Sequence, residues 1–296
     1  GVGTGVGINA MIAKNLGRGN REQASRTAGN AIFVTLCYFV LIFLFGLTSV
    51  KDFIHSQTTD MVIATVYFKK GVGIESNIRY LKPERQTLGS IYSIGLPAIV
   101  MQILTPIMSY TLNLILGAIS VSAVTAYGVY YKLQNFIFMP GYGLNNASIP
   151  IISYNFGARN KQRVSQTVRY GLIYVSVIML IGIALLQLFA RQIVGIFSVT
   201  EESHQLCVLA LRIITCGFFF AGANIILQGV CQALGKGIYS LVISLLRFIV
   251  LVLPMAWALS LTENAASLVW LSLPVAEAGA CVAAILLTRK IYRKAL

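Results

Sequence analysis

Of the nine Asp and Glu residues in this 296-residue chain, only Glu277 falls well inside an apolar run. A charge at the centre of a membrane span costs about 2.5–3.5 kcal/mol on insertion scales, so a carboxylate kept there is a candidate for function by default. Glu277 is suited to bind a proton or, with other oxygens, a cation; the alternative is a structural hydrogen bond or an ion pair with a neighbouring helix. Lys132, followed by Gln134 and Asn135, is a second embedded charge. It could repel or exchange with a cationic ligand, pair with Glu277, or hold a snorkelling or structural position. Arg247, well beyond Lys236, is deep enough to need a partner and reads as half of a structural pair.

Gln102, Tyr110 and Asn113 are spaced to lie close to one helical face. Together with Asn145, Asn146 and Gln228 they could line a polar cavity that accepts many ligands by shifting hydrogen bonds and aromatic contacts. Each alone is also ordinary glue between helices. Pro140, Gly141, Gly143 and Pro150 share one long segment. Pro removes a backbone hydrogen bond and Gly relaxes local geometry, so this segment can bend; a static kink accounts for the same residues.

The elements that carry these residues must be membrane helices. Hydrophobic residues make up 57% of the chain and charged ones 11%, with a mean hydropathy of +0.77, against about 25% charged in ordinary soluble domains. Uncharged runs at 27–50, 170–190 and 213–235 are each long enough to cross a bilayer core of about 30 Å at about 1.5 Å per residue. Further spans, each with an interior charge or Pro, are expected at 91–116, 121–154, 237–261 and 265–288, and the first residues read as the tail of another. Sustained alternation of period two, which a barrel requires, is missing from the sequence.

A net charge of +14 could suggest nucleic acid, but its placement excludes that reading. Most Lys and Arg fall in four clusters, at 14–26, 69–85, 159–169 and 289–294, which alternate with loops poor in basic residues. This is the positive-inside pattern, with a cytoplasmic C-terminus. The five Cys form no CxxC pair and read as small core residues, so no metal site is expected. An Asp pair, an HExxH motif and a His-carboxylate cluster are all missing, which argues against a membrane-embedded enzyme.

One stretch occurs twice, 140 positions apart. Asn15, Gly17, Asn20, Ser25 and Thr27 line up with Asn155, Gly157, Asn160, Ser165 and Thr167, and the same offset pairs Gly1 with Gly141, Gly3 with Gly143 and Ile12 with Ile152. Two related membrane halves follow, a recurrent design in secondary transporters. Gly17 and Gly157 are expected to end their helices in the left-handed conformation. The topology does not close in the first third: between the basic clusters at 14–26 and 69–85, only 61–68 is apolar after the 27–50 span, too short to cross. The expectation is a truncated, internally shortened transporter; the alternative is a short chain with a re-entrant segment.

The residues resemble bacterial members of the multidrug and toxic compound extrusion (MATE) family. The likeness rests on Gly95-Leu96-Pro97 opening a span and on Ala126-Tyr127-Gly128 followed by Lys132. It continues through residues 139–147 (MPGYGLNNA) and 150–160 (PIISYNFGARN) into a basic loop. It implies an all-α membrane protein, a polytopic helical bundle with one complete C-terminal six-helix lobe (91–296), a cytoplasmic linker (69–90) and a remnant of a homologous N-terminal lobe (1–68). It further implies a multi-pass protein of the bacterial cytoplasmic membrane, a monomer without cofactor. Such a protein exports amphipathic or cationic drugs and toxic metabolites in exchange for H+ or Na+, by alternating access. Gln102 and Thr105 occupy the neighbourhood where some branches carry an acid, so a sodium site there lacks its carboxylate. The missing spans make an inactive short form an expectation to test. A flippase for lipid-linked oligosaccharide is the alternative function, and it calls for more cavity-facing cations than Lys132 and Arg247.

Overall fold

A computed structural model describes residues 2–49 and 84–295, all in helices and the turns between them. The expected segment 61–68 and most of the expected linker lie outside the described residues. Helices α1 (Val2–Gly17) and α2 (Arg21–Ser49) are followed by two long helices, α3 (Arg85–Ile119) and α4 (Val121–Gly157). Then come α5 (Lys161–Leu188), the short α6 (Ala190–Gly195), α7 (Glu201–Thr215) and α8 (Phe218–Ala233). The chain closes with α9 (Gly237–Ser260) and α10 (Ala265–Tyr292). Residues 85–90, assigned to the linker from sequence, are already the first turns of α3.

Among the described residues, four helices (α3, α5, α9 and α10) are long and apolar enough to cross a membrane, or five if α7 and α8 count as one bent span. That pair corrects the expected span at 213–235. The helix begins at Glu201, capped by the Thr200 side chain, and bends by 49° at Cys216 and Gly217. A side chain at 217 would meet Pro274 Cα at 2.7 Å, so α10 presses on the chain where it bends. The expectation that all Cys are core residues holds for Cys207, Cys231 and Cys281, whereas Cys37 and Cys216 are exposed.

The repeated motif builds the same turn twice. After α1, Gly19 N–H bonds Leu16 O and Asn20 N–H bonds Asn15 O; after α4, Arg159 N–H bonds Phe156 O and Asn160 N–H bonds Asn155 O. These are Schellman turns, which close a helix and satisfy its last carbonyls. Each Asn then starts the next helix, with Asn20 Oδ1 accepting from Gln23 N–H at 3.0 Å and Asn160 Oδ1 from Arg163 N–H at 3.1 Å. A third such turn joins α8 to α9, where Gly235 N–H bonds Gln232 O and Lys236 N–H bonds Cys231 O.

The left-handed residues of these turns are Gly19 (φ 74°), Arg159 (φ 56°) and Gly235 (φ 76°). Gly17 and Gly157 are therefore not the left-handed residues expected from sequence. They are needed because α1 and α4 cross there at backbone contact. A side chain at 17 would run into the Tyr154 carbonyl, with its carbon at 2.8 Å, and one at 157 into the Lys14 carbonyl, with its carbon at 3.0 Å. The two copies of the repeat thus pack against each other, each glycine opposite the other helix's terminal carbonyl. Ser153 Oγ donates to Ala233 O at 2.9 Å and joins the third turn to the same end of the bundle.

Helix α4 is central, contacting α1, α5, α7 and α8, while α9 lies against α3 and α10 against α8. Its core side includes Phe138, whose ring meets Phe218 edge-on at 4.8 Å. The segment with Pro140, Gly141, Gly143 and Pro150 is one continuous helix. Gly141 is buried where Met179 and Val175 of α5 approach, and Gly143 faces open space.

Candidate functional site

Three helices bring their polar residues together inside the apolar bundle. Arg247 of α9 forms an ion pair with Glu277 of α10, both nearly out of reach of solvent at 8% and 9% exposure. Asn224 of α8 adds two bonds, its Nδ2 donating at 3.0 Å to Glu277 Oε2 and at 3.0 Å to the Glu277 carbonyl. The guanidinium also lies over the Phe248 ring, 4.6 Å from its centroid. One turn along α8 from Asn224, Gln228 Oε1 accepts from Ser244 Oγ of α9 at 2.8 Å. Residues 224 and 228 thus share one face of α8, the first meeting Glu277 of α10 and the second Ser244 of α9.

The local backbone of α9 contributes to this arrangement. From Leu246 to Val252 the helix widens into a π-helical turn that carries Arg247. Such turns insert an extra residue into the helical register, so the side chains beyond them point where a regular helix would not put them. Two polar atoms of the cluster, Arg247 Nε and Asn224 Oδ1, have no hydrogen-bond partner among the described residues. The cluster holds opposite charges in a medium where leaving either unpaired is costly.

Helix α4 carries two further tyrosines and an exposed face. Tyr130 and Tyr142 both lie within electrostatic reach of Arg247 and Glu277. Tyr130 is buried, whereas Tyr142 is 47% exposed and edge-on to Phe138 at 6.3 Å. Along that face Lys132, Asn135, Met139, Tyr142 and Asn146 follow one another at helical spacing and all are exposed.

The sequence candidates therefore separate into two groups. Glu277, Arg247 and Gln228 are buried and brought together. Lys132, Asn135 and Asn146 share the exposed face of α4, with Asn135 Nδ2 bonded back to Tyr131 O at 2.9 Å. Gln134 is half-buried. Asn145 is drawn the other way, packed on Gly229 of α8, where an added side chain would meet its Cγ at 2.8 Å. On α3, Gln102 and Tyr110 are exposed, while Asn113 is half-buried and donates to Ser109 O at 2.9 Å.

One of the readings left open for Lys132 is not met. Lys132 does not meet Glu277; its Nζ sits 5.7 Å from the centroid of Phe197, and Arg247 holds the carboxylate. Asn224 was missed from sequence although a signal existed: Asn224 and Gln228 are four apart in one apolar run, as a shared polar face requires. No group of three or more His, Cys, Asp or Glu residues able to hold a metal ion occurs among the described residues.

The sequence profile of the family described as MatE matches residues 97–258, more than half of the chain. The chain belongs to the MatE family. It is 27% identical over 252 residues to the multidrug export protein MepA of Staphylococcus aureus (strain MSSA476), a match that covers 84% of this chain and 55% of MepA. MepA of Staphylococcus saprophyticus is 26% identical over the same shares of both chains. The chain thus spans about half the length of these curated relatives.

Among solved structures, a MATE crystal structure in the straight conformation superposes with a TM-score of 0.89 at 17% identity, covering 99% of this chain and 84% of the other. An outward-facing MATE multidrug resistance transporter of the MOP superfamily gives the same score, identity and coverage. A MOP superfamily transporter from Pyrococcus furiosus gives 0.87 at 18% identity, again covering 99% and 84%. At such identities the likeness establishes the fold. This MatE chain is a multi-pass helical membrane protein.

Proposed function

We propose that this chain acts in multidrug export, moving amphipathic, cationic small molecules out of the cell in exchange for H+. The observation that carries the reading is the Arg247–Glu277 ion pair, buried between α9 and α10 and held by Asn224 of α8. While Glu277 is ionised it neutralises Arg247. A proton delivered to the carboxylate leaves the guanidinium uncompensated, and that charge then repels a cationic ligand lying against α4. The export of drugs by MepA supports the substrate class, and the exposed, mixed polar and aromatic face of α4 is suited to loosely specified ligands.

Arg247 also supports one coupling ion over the other. It already supplies the positive charge at the carboxylate, where Na+ would have to bind, which favours H+ over Na+. The same neutralisation speaks against a flippase for lipid-linked oligosaccharide, because of the two charges expected to face the cavity only Lys132 is left unneutralised. The protein acts as a monomeric transporter, not an enzyme, in the bacterial cytoplasmic membrane, with residues 91–296 as its six-helix lobe. The three basic turns at one end of the bundle, near Lys14, Arg159 and Lys236, support a cytoplasmic side for that end and for the C-terminus.

The test is retention of a fluorescent cationic dye in efflux-deficient cells. Cells expressing this chain are expected to retain less dye than empty-vector cells, and Glu277→Gln to restore retention at equal protein level. Unchanged export by Glu277→Gln would remove the coupling role.

A further inference from the structure

Where the two copies of the repeat meet, at the end of the bundle that carries the basic turns, a cleft of about 980 Å³ opens between the α1 and α4 termini. Its floor is the Gly17–Gly157 crossing and its rim carries Arg18, Arg159 and Lys161, all exposed. None of these three has a carboxylate partner among the described residues. The acids at this end, Glu22 and Glu84, are both taken by Arg26. Lys14 lies behind, its Nζ 5.5 Å from the centroid of Phe156, close enough to Arg18 and Lys236 for their like charges to be felt.

Three cations therefore line one concavity, with Lys14 and Lys236 near it, and none of the three has a counter-charge among the described residues. The positive-inside rule accounts for basic residues on this side of the membrane. It does not account for their convergence from both copies of the repeated turn onto one cleft. Arg159 adds a second argument. It occupies a left-handed backbone position where the other copy of the repeat has Gly19, so an arginine is kept where the backbone favours glycine. The N-terminus of α5, at Lys161, also lies at this cleft.

We propose that this cleft binds a phosphate group, held by the guanidiniums of Arg18 and Arg159 and the ammonium of Lys161. Guanidinium geometry matches phosphate oxygens in bidentate fashion, and lysine serves as a point charge beside it. The cleft is larger than a phosphate ion, which leaves room for the group that carries it. The phosphate comes either from an anionic phospholipid headgroup at the membrane surface or from phosphate free in the cytosol.

The experiment measures thermal unfolding of the purified chain in nanodiscs of phosphatidylcholine, with phosphatidylglycerol added in one arm and inorganic phosphate titrated in the other. Stabilisation by phosphatidylglycerol alone assigns the headgroup, and saturable stabilisation by inorganic phosphate assigns the free ion. In either arm the triple variant Arg18→Gln/Arg159→Gln/Lys161→Gln is expected to lose the shift, and Arg289→Gln/Lys290→Gln, in the separate C-terminal basic cluster, to keep it. Arg159→Gly keeps the proposal testable if the triple variant does not fold, because glycine suits the backbone there. It is expected to raise stability in plain phosphatidylcholine while weakening the anion response about tenfold, the worth of one charge-assisted bond. The proposal is overturned if neither anion stabilises the protein, or if both sets of variants respond alike.

Discussion

Adding a single methyl group at residue 17 or 157 should destabilise this protein far more than the same change at a glycine that faces open space, such as Gly143. At Gly17 the new carbon would stand 2.8 Å from the Tyr154 carbonyl carbon, and at Gly157 it would stand 3.0 Å from the Lys14 carbonyl carbon and 3.2 Å from Arg18 N. Ordinary contact begins near 3.4 Å, and the Tyr154 carbonyl oxygen lies nearer still than its carbon, so α1 and α4 must separate by well over about 0.6 Å to admit Gly17→Ala. The obstacles are backbone atoms, which cannot rotate aside as a side-chain tip can. Overpacking of this kind costs about 1–3 kcal/mol, and a backbone obstacle puts each substitution at about 3 kcal/mol. Gly143→Ala is the control: it sits inside the long α4 with nothing within 4 Å, and helix propensity makes it stabilising by up to about 1 kcal/mol. Because both contacts belong to one crossing, the double variant should cost clearly less than the two single costs together. The assay is thermal unfolding in detergent, monitored by intrinsic fluorescence. Wild-type stability for Gly17→Ala, or full additivity in the double variant, would refute the argument that the two glycines serve one helix crossing.

Three further outcomes follow from the same geometry. Arg247→Met alone should cost about 3–5 kcal/mol by leaving Glu277 charged and unpaired, while Arg247→Met/Glu277→Met together should cost much less, as read from denaturation midpoints. Gly229→Ala should be tolerated only when Asn145 gives way, so pairing it with Asn145→Ala should recover most of the lost stability in the same assay. Glu84 is held below the usual carboxylate range by the Thr87 hydroxyl, which donates to it, and by the Arg26 guanidinium. Its folded value is thus lower than its unfolded one, so its contribution is present above the unfolded value and lost as pH falls through the folded value. A melting profile taken downward from neutral pH should therefore be flatter in Glu84→Gln than in wild type below about pH 4.3.

Much of the helical plan was legible because composition and run length decide what can cross a bilayer, and charge clusters decide which turns share a side. The repeat was legible too, but its meaning was not. Its glycines look like helix caps in a linear reading, and only the crossing of α1 over α4 shows that they are needed for backbone contact. Likewise 213–235 looks like a span because it is uncharged, while the helix in fact starts at Glu201 and bends where Pro274 meets Gly217. Residue order contains no record of that contact between distant segments.

The candidate site shows the same division. Glu277 and Arg247 stand out individually as charges in apolar surroundings, but their pairing depends on the register between α9 and α10, which the π-helical turn at Leu246–Val252 alters. Lys132 was an equally reasonable partner on spacing alone. It is excluded by its position beside Phe197 on the exposed face of α4. Asn224 escaped notice because a lone amide in an apolar run looks like ordinary interhelical glue, and its second role as a Glu277 ligand requires knowing what it faces.

The most direct test of the export reading is transport by the purified chain in proteoliposomes loaded with a fluorescent cationic dye. A pH gradient is imposed in one set, a Na+ gradient in another, with Glu277→Gln and Arg247→Met run beside the wild type. The account predicts dye movement driven by the pH gradient and not by Na+, and lost in Glu277→Gln. Movement driven by Na+, or pH-driven movement that survives Glu277→Gln, would contradict it.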